Sequence, residues 1–279
     1  MSLTQHTTLP ASGILSTVID SVRMTRYHGS EGVAISVVPA GVPGLLLHVS
    51  EGRGALEHII TPSARASSQA PCFLYGPGTE PSVMTFRRGP FTTVQVVFHP
   101  HALKTLFGLN AAALANGWVE LAEFGADALT DQLIEAASDQ ERISLLTSFL
   151  VSKLKQQKSR DLLVEEGLQL IDGAPGGLQV RDLLSALSIS ERQFERRFIQ
   201  TVGLAPQTYL RLKRFNEAIK LIHSRRFTHL GDVAAALHFT DQSHFNREIK
   251  AFSGMTPSNL AHAVDGLRLA PTGSSSAER

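Results

Sequence analysis

The side chains best suited to recognition chemistry sit in the C-terminal third of the 279-residue chain. Arg192, Glu195 and Arg196 are spaced three and four apart, which places them on one face of a helix. Gln242, Ser243, Asn246 and Arg247 repeat that arrangement roughly fifty residues later. Arg, Gln and Asn near a helix N-terminus form bidentate hydrogen bonds to guanine or adenine edges in a major groove, and Glu accepts from cytosine. Arg211, Lys213, Arg214, Lys220, Arg225, Arg226 and Lys250 surround these two sets as cations of the kind that contact phosphate.

Other chemistries have weaker support. Eleven histidines invite a metal reading, but His99 and His101 stand two apart with no neighbouring Cys or carboxylate to complete a ligand set. The single cysteine, Cys72, excludes a disulfide framework and reads as a buried small residue beside Phe73 and Leu74. No nucleophile elbow, phosphate-binding glycine loop or kinase motif is present. Arg87 and Arg88 are adjacent, so on a strand they point to opposite faces and read as solvated cations. No catalytic, metal or cofactor site is assigned.

The elements that must position the two arginine-bearing faces follow from the repeat itself. Asp182–Leu187 matches Asp232–Leu237 at an offset of 50, and after one inserted residue the offset is 51. Ser190 then falls on Asp241, Phe194 on Phe245, Arg196 on Arg247, Gly203 on Gly254 and Pro206 on Pro257. Each copy reads as a short apolar helix, a tight turn and a second helix, with Ser190 and Asp241 as its N-caps. Ser190 and Gln193 fit a capping box. Phe194, Phe198, Ile199 and Val202 recur at helical spacing as the buried face of the first copy, and Phe245, Ile249 and Phe252 do so in the second. This is the pattern of a helix-turn-helix. Between the copies, Pro206 to His223 reads as a helix of roughly 27 Å at 1.5 Å per residue. That length approaches the ~34 Å separating successive major grooves on one face of a duplex.

The rest of the chain differs in composition. Nine of the 13 prolines precede residue 101, a density incompatible with long helices. Val33–Val38, Leu45–Val49, Leu56–Ile60, Cys72–Tyr75, Val83–Phe86 and Thr92–Phe98 read as strands between glycine and proline breakers, the pattern of a small antiparallel barrel or sandwich. Helices follow at His101–Phe107, Leu129–Ala137 and Glu141–Leu154, then one capped by Ser159 that ends at Gly173. Residues 1–175 hold 12 Lys/Arg against 16 Asp/Glu, whereas residues 176–265 hold 12 against 8. A basic module joined to an acidic one suits a polyanion partner for the former.

On these residues the C-terminal region, about Leu178 to Val264, resembles the DNA-binding domain of the AraC/XylS family of bacterial transcription regulators. The run His238-Phe-Thr-Asp-Gln-Ser-His-Phe-Asn-Arg-Glu-Ile-Lys-Ala-Phe-Ser-Gly-Met-Thr-Pro257 carries the resemblance most specifically. It implies seven helices holding two helix-turn-helix units on a linker helix. Arg192, Glu195, Arg196, Gln242, Ser243, Asn246 and Arg247 would then be the base-facing positions. The segment Gly89–Gly108 is similar to the end of the β-rich sensor domain found in one branch of the family. Where the family pattern has glycine, this chain has His238, with Ser188 at the equivalent turn and Leu184 where a small residue is usual. A left-handed histidine at such a turn costs stability.

The expected protein is thus α+β with two domains: a small antiparallel β-barrel or cupin-like domain with a helical linker, and an all-α domain of two helix-turn-helix units. The expected boundaries are a sensor domain at 1–108, a linker or dimerisation region at 109–175, the DNA-binding domain at 176–266 and a disordered tail at 267–279. The resemblance implies a cytoplasmic homodimer that binds double-stranded DNA and RNA polymerase, acts as an activator by family habit, and answers to a small-molecule effector at residues the sequence does not mark. The sequence alone leaves activation and repression open, and also leaves open a sensor domain that serves only for assembly or a barrel enzyme with a DNA-binding appendage. It shows no membrane-spanning run and no secretory signal.

Overall fold

The computed structural model describes residues 4–66, 70–156, 159–174, 177–224, 227, 229–263 and 268–269. The N-terminal part is built of two facing sheets. The first sheet has the order β1 (Thr4–Pro10), β2 (Ile19–Tyr27), β10 (Phe91–Phe98), β4 (Gly44–Ser50), β8 (Cys72–Tyr75) and β11 (Trp118–Glu120), with β5 (Arg53–Gly54) also paired to β4. The second has the order β12 (Arg268–Leu269), β3 (Val33–Val38), β9 (Ser82–Phe86), β6 (Leu56–Ile60) and β7 (Arg65–Ala66). All pairings are antiparallel except β12 with β3, which is parallel. Arg268 and Leu269, placed by the sequence in a disordered tail, therefore extend a sheet, while residues 270–279 lie outside the described residues.

All six strands read from the sequence are present, and β1, β2, β11 and the two-residue strands β5, β7 and β12 were not foreseen. Strand alternation divides the first sheet between two cores. Val94, Val96, Phe98, Leu45, Leu47 and Leu74 face helices α1 (Ala102–Phe107), α2 (Asp127–Glu135) and α3 (Asp139–Gln156). Their neighbours Phe91, Leu46 and Phe73 face the second sheet, together with Phe86, Leu56 and Ile59. His99 and His101, the residues considered for metal, instead donate their Nε2 protons to the Ser16 and Thr17 carbonyls at 3.1 Å, tying the turn at 13–17 to the end of β10. Burial pushes the Cys72 thiol pKa up and keeps it protonated.

The third core belongs to seven helices among the described residues: α4 (Leu162–Gly173), α5 (Val180–Leu187), α6 (Glu191–Val202), α7 (Pro206–Ser224), α8 (Leu230–Ala236), α9 (Gln242–Ser253) and α10 (Pro257–Ala263). Val164, Leu168 and Ile171 place α4 inside this core, although the sequence reading had set it in the preceding linker. The cap of α4 is Asp161, whose Oδ1 accepts from the Val164 N–H at 3.3 Å, and not Ser159. Part of the Gly173–Gly177 break lies outside the described residues. No described helix is long and apolar enough to cross a membrane.

Candidate nucleic-acid interface

Each repeat folds as a helix pair joined by a left-handed residue. After α5, Ser188 has φ 49, and after α8, His238 has φ 55. At the second turn the N–H groups of His238 and Phe239 reach the carbonyls of Ala235 and Ala234 at 3.1 and 3.0 Å, the two bonds of a Schellman end. Glycine suits such a turn, yet both positions carry a side chain.

The second helix of each pair is amphipathic. On α6, Phe194, Phe198 and Val202 are fully buried, while Arg192, Glu195 and Arg196 are exposed on the opposite face. On α9, Phe245, Ile249 and Phe252 are buried, and Gln242, Ser243, Asn246, Arg247 and Lys250 are exposed. The buried aromatics interlock with the linker helix: Phe198 meets Tyr209 edge-on at 5.6 Å, and Phe252 meets Phe215 at 5.3 Å. Asp241 caps α9 by accepting from the His244 N–H at 2.7 Å. Ser190 holds the equivalent N-cap position, but its hydroxyl donates to Gln193 Oε1 at 3.0 Å and makes no cap bond to the backbone.

Two ion pairs fix these helices, and sequence reasoning missed both. Arg211 on α7 bonds the Glu248 carboxylate of α9 through both prongs, at 2.9 and 2.7 Å, and lies over the Phe252 ring at 5.5 Å. The hydrogen bonds to Glu248, against the cost of burial, raise the Arg211 pKa further. On α6, Arg197 holds Asp161 in the same two-pronged way, at 3.0 and 2.5 Å, with Lys104 Nζ at 3.9 Å from the same carboxylate. Burial opposes the Asp161 charge, but the bonds from Arg197 and the Val164 N–H, with the pull of Lys104, hold its pKa below the ordinary carboxylate range. The one signal in the sequence was Glu248 itself, a carboxylate next to Ile249 on the apolar face of α9, where it needs a partner.

The cations expected on phosphate are thus divided. Arg211 is committed to Glu248, Lys213 bonds Asp172 at 2.7 Å, and Lys220 bonds Glu217 at 2.7 Å. Arg214 lies 5.5 Å from the Phe239 ring centre. Arg225 and Arg226 lie outside the described residues. Among the described residues no three His, Cys, Asp or Glu side chains gather as a metal site.

The helical domain also rests on the β domain. Gly203, the C-cap of α6, has φ 87, and a Cβ there would stand 2.7 Å from Pro77 and 2.8 Å from the Ala111 carbonyl. On α7, the buried Asn216 donates to the Ala40 carbonyl at 3.2 Å.

Residues 183–263 match the protein family described as "Helix-turn-helix domain", and residues 7–120 match one described as "Domain of unknown function (DUF6597)". Among curated proteins no match is found. Among solved structures the chain is similar to ToxT from Vibrio cholerae O395, at 11% identity and a TM-score of 0.48, over 95% of this chain and 99% of that one. It is also similar to unsaturated-fatty-acid-bound ToxT from Vibrio cholerae strain SCE256, at 12% identity and 0.47, over 86% and 94% of the two chains. The C-terminal domain of AraT, a response regulator from Geobacillus stearothermophilus, matches at 19% identity and 0.35, over 43% of this chain and 97% of that one. The sequence repeat, the seven-helix core and the family match at residues 183–263 together identify the C-terminal part of the chain as a helix-turn-helix domain.

Proposed function

We propose that the chain is a sequence-specific DNA-binding transcription regulator that inserts α6 and α9 into successive major grooves. The observation that carries this reading is the pairing of two equivalent helices, each buried on its aromatic face and exposed on its Arg, Gln or Asn face. Arg192, Glu195 and Arg196 read one groove, and Gln242, Ser243, Asn246 and Arg247 read the next. Lys250 and Arg214, with Arg225 and Arg226, meet phosphate and give the affinity its salt dependence. Arg211 is reassigned from phosphate contact to positioning, because its guanidinium is engaged with Glu248.

The β domain serves as the regulatory and homodimerising part, bringing two such readers to one operator, with RNA polymerase as the further partner. Binding-site selection with the full-length protein, followed by Arg247→Ala, tests the reading. Arg247→Ala is expected to lower affinity for the selected site at least tenfold more than for random DNA, the cost of one bidentate base contact being about 1–3 kcal/mol. Equal losses on both would show a phosphate contact only.

A further inference from the structure

Between the two sheets of the β domain lies a cavity of about 690 Å³, the size of a small-molecule pocket. Its walls are apolar on both sides, with Leu46, Phe73 and Phe91 from the first sheet opposite Ile35, Met84 and Phe86 from the second. The lining carries two charged side chains: Arg23 on β2, and Glu80, whose carboxylate already accepts from the Ser63 N–H and hydroxyl at 3.2 and 2.7 Å. Arg23 lines the cavity, and its Nε is buried with no hydrogen-bond partner among the described residues. Burial works against its charge, and Asp20 only partly offsets that.

Two polar groups stand beside the guanidinium. Gln95 Nε2 donates to the Tyr75 hydroxyl at 2.8 Å, and both residues line the cavity. Burial pushes the Tyr75 pKa up to about 12, so the phenol keeps its proton and can donate it. A half-buried guanidinium whose buried Nε has no hydrogen-bond partner, on the wall of an apolar chamber, is favoured by an anion that pairs with it. Its planar fork matches a carboxylate.

We infer that this cavity binds an organic monocarboxylate with an apolar body, its carboxylate on Arg23 beside Tyr75 and its body against Phe73 and Trp118. Binding itself does not depend on the DNA-binding role; its regulatory consequence rests on that reading. The cavity is walled in part by the segments that seat the helical domain. Val38 lines it and also belongs to the core of the seven helices, and Ala40 lines it while its carbonyl holds Asn216 of α7. Gly41 turns beneath Leu212, and Pro77, between the lining residues Gly76 and Gly78, packs on Gly203 at the end of α6. An occupant that favours one setting of these segments shifts the seat of α6 and α7, and so the readiness of the domain for DNA.

Trp118 is the only tryptophan of the chain and lines the cavity, so its emission reports occupancy. The full chain is titrated with octanoate and 3-cyclohexylpropionate, and with octan-1-ol and 3-cyclohexylpropan-1-ol as neutral counterparts. The expected result is a saturable 1:1 emission change with a carboxylate that binds at least tenfold more tightly than its alcohol. Arg23→Gln is expected to abolish that preference while leaving alcohol affinity within twofold, and Arg23→Lys to retain part of it. No saturable change with either acid, equal binding of acid and alcohol, or an undiminished preference in Arg23→Gln would overturn the site. Saturating carboxylate is expected to change operator affinity at least threefold in the wild type and not in Arg23→Gln. Unchanged affinity in the wild type would overturn the coupling. Loss of sequence-specific DNA binding with intact Trp118 titrations would instead count against the regulator reading alone.

Discussion

Arg211 of the linker helix α7 grips Glu248 of α9 through both arms of its guanidinium, at 2.9 and 2.7 Å. Glu248 is 8% exposed, and it directly follows Arg247, which faces solvent. The first unit uses the same device with the charges exchanged, Arg197 of α6 gripping Asp161 at the start of α4. The helices α6 and α9 are therefore each clamped at the residue next to an outward arginine, by a partner on the helix that precedes the unit.

The clamp predicts a specific pattern of losses. Arg211→Ala leaves the Glu248 carboxylate buried without its partner and is expected to cost roughly 2 kcal/mol of stability, a value tempered by the partial exposure of Arg211. Arg211→Lys restores the charge but not the fork, and is expected to recover less than half of the loss. Urea unfolding of the three proteins checks this; an Arg211→Ala protein as stable as the wild type would refute the clamp.

The left-handed turns predict gains. His238 and Ser188 hold φ values of 55 and 49, at which a Cβ costs about 1–2 kcal/mol. His238→Gly and Ser188→Gly are each expected to raise stability by about 0.5–1 kcal/mol, part of the relief being offset by the greater freedom of glycine when unfolded. Thermal unfolding of the single and double variants should show increments that add. Destabilisation by either would show that its side chain makes a contact worth more than the strain.

His48 makes the β domain sensitive to acid. Its Nδ1 accepts from the N–H groups of Ala55 and Leu56 at 3.0 and 3.2 Å, and its ring is fully buried. Burial, with Arg87 adding to it and backbone hydrogen bonding opposing, pushes its pKa down to about 4. Below its ordinary value of ~6.5 the unfolded chain takes up a proton that the folded chain refuses, so stability falls as pH drops from about 6.5 towards 4. The expected loss is about 3 kcal/mol at 1.36 kcal/mol per pH unit. His48→Gln should remove that slope. Urea unfolding followed by Trp118 emission between pH 7.5 and 4.5 measures it, and parallel curves for the two proteins would count against the account.

The seat of the helical domain predicts a further loss. Gly203 combines φ 87 with a Cβ direction blocked by Pro77 and the Ala111 carbonyl. Gly203→Ala is expected to cost roughly 2 kcal/mol or more, through the left-handed strain and the displacement of those neighbours. Limited proteolysis is expected to show faster cleavage around residues 76–81. Unchanged cleavage with unchanged stability would mean that the contact is not held in solution.

What the sequence disclosed and what it hid have physical reasons. The two helix-turn-helix units were legible because their apolar residues keep helical spacing and their caps recur at a fixed offset. Strand β2 was not legible, because its cavity face carries Arg23, Thr25 and Tyr27 instead of an aliphatic series. The strand that bears Arg23 is thus one that hydrophobic alternation could not mark. Edge strand β1 is largely exposed and gave no signal either. The place of α4 in the C-terminal core was obscured by the proline- and glycine-rich break that follows it, which interrupts the chain and not the packing. Arg211 looked like a free cation because its partner lies 37 residues away, and the one cue, a carboxylate beside the apolar face of α9, sits at the partner's end of the pair.

The central claim is that α6 and α9 read two successive grooves through opposite ends of one rigid domain. It is tested most directly by missing-base interference on the selected operator with the wild type, Arg196→Ala and Arg247→Ala. The account predicts two clusters of essential bases about 10–10.5 base pairs apart, with Arg196→Ala relaxing the demand at one cluster and Arg247→Ala at the other. A single cluster, or both variants weakening the whole site evenly with no change in base preference, would contradict it.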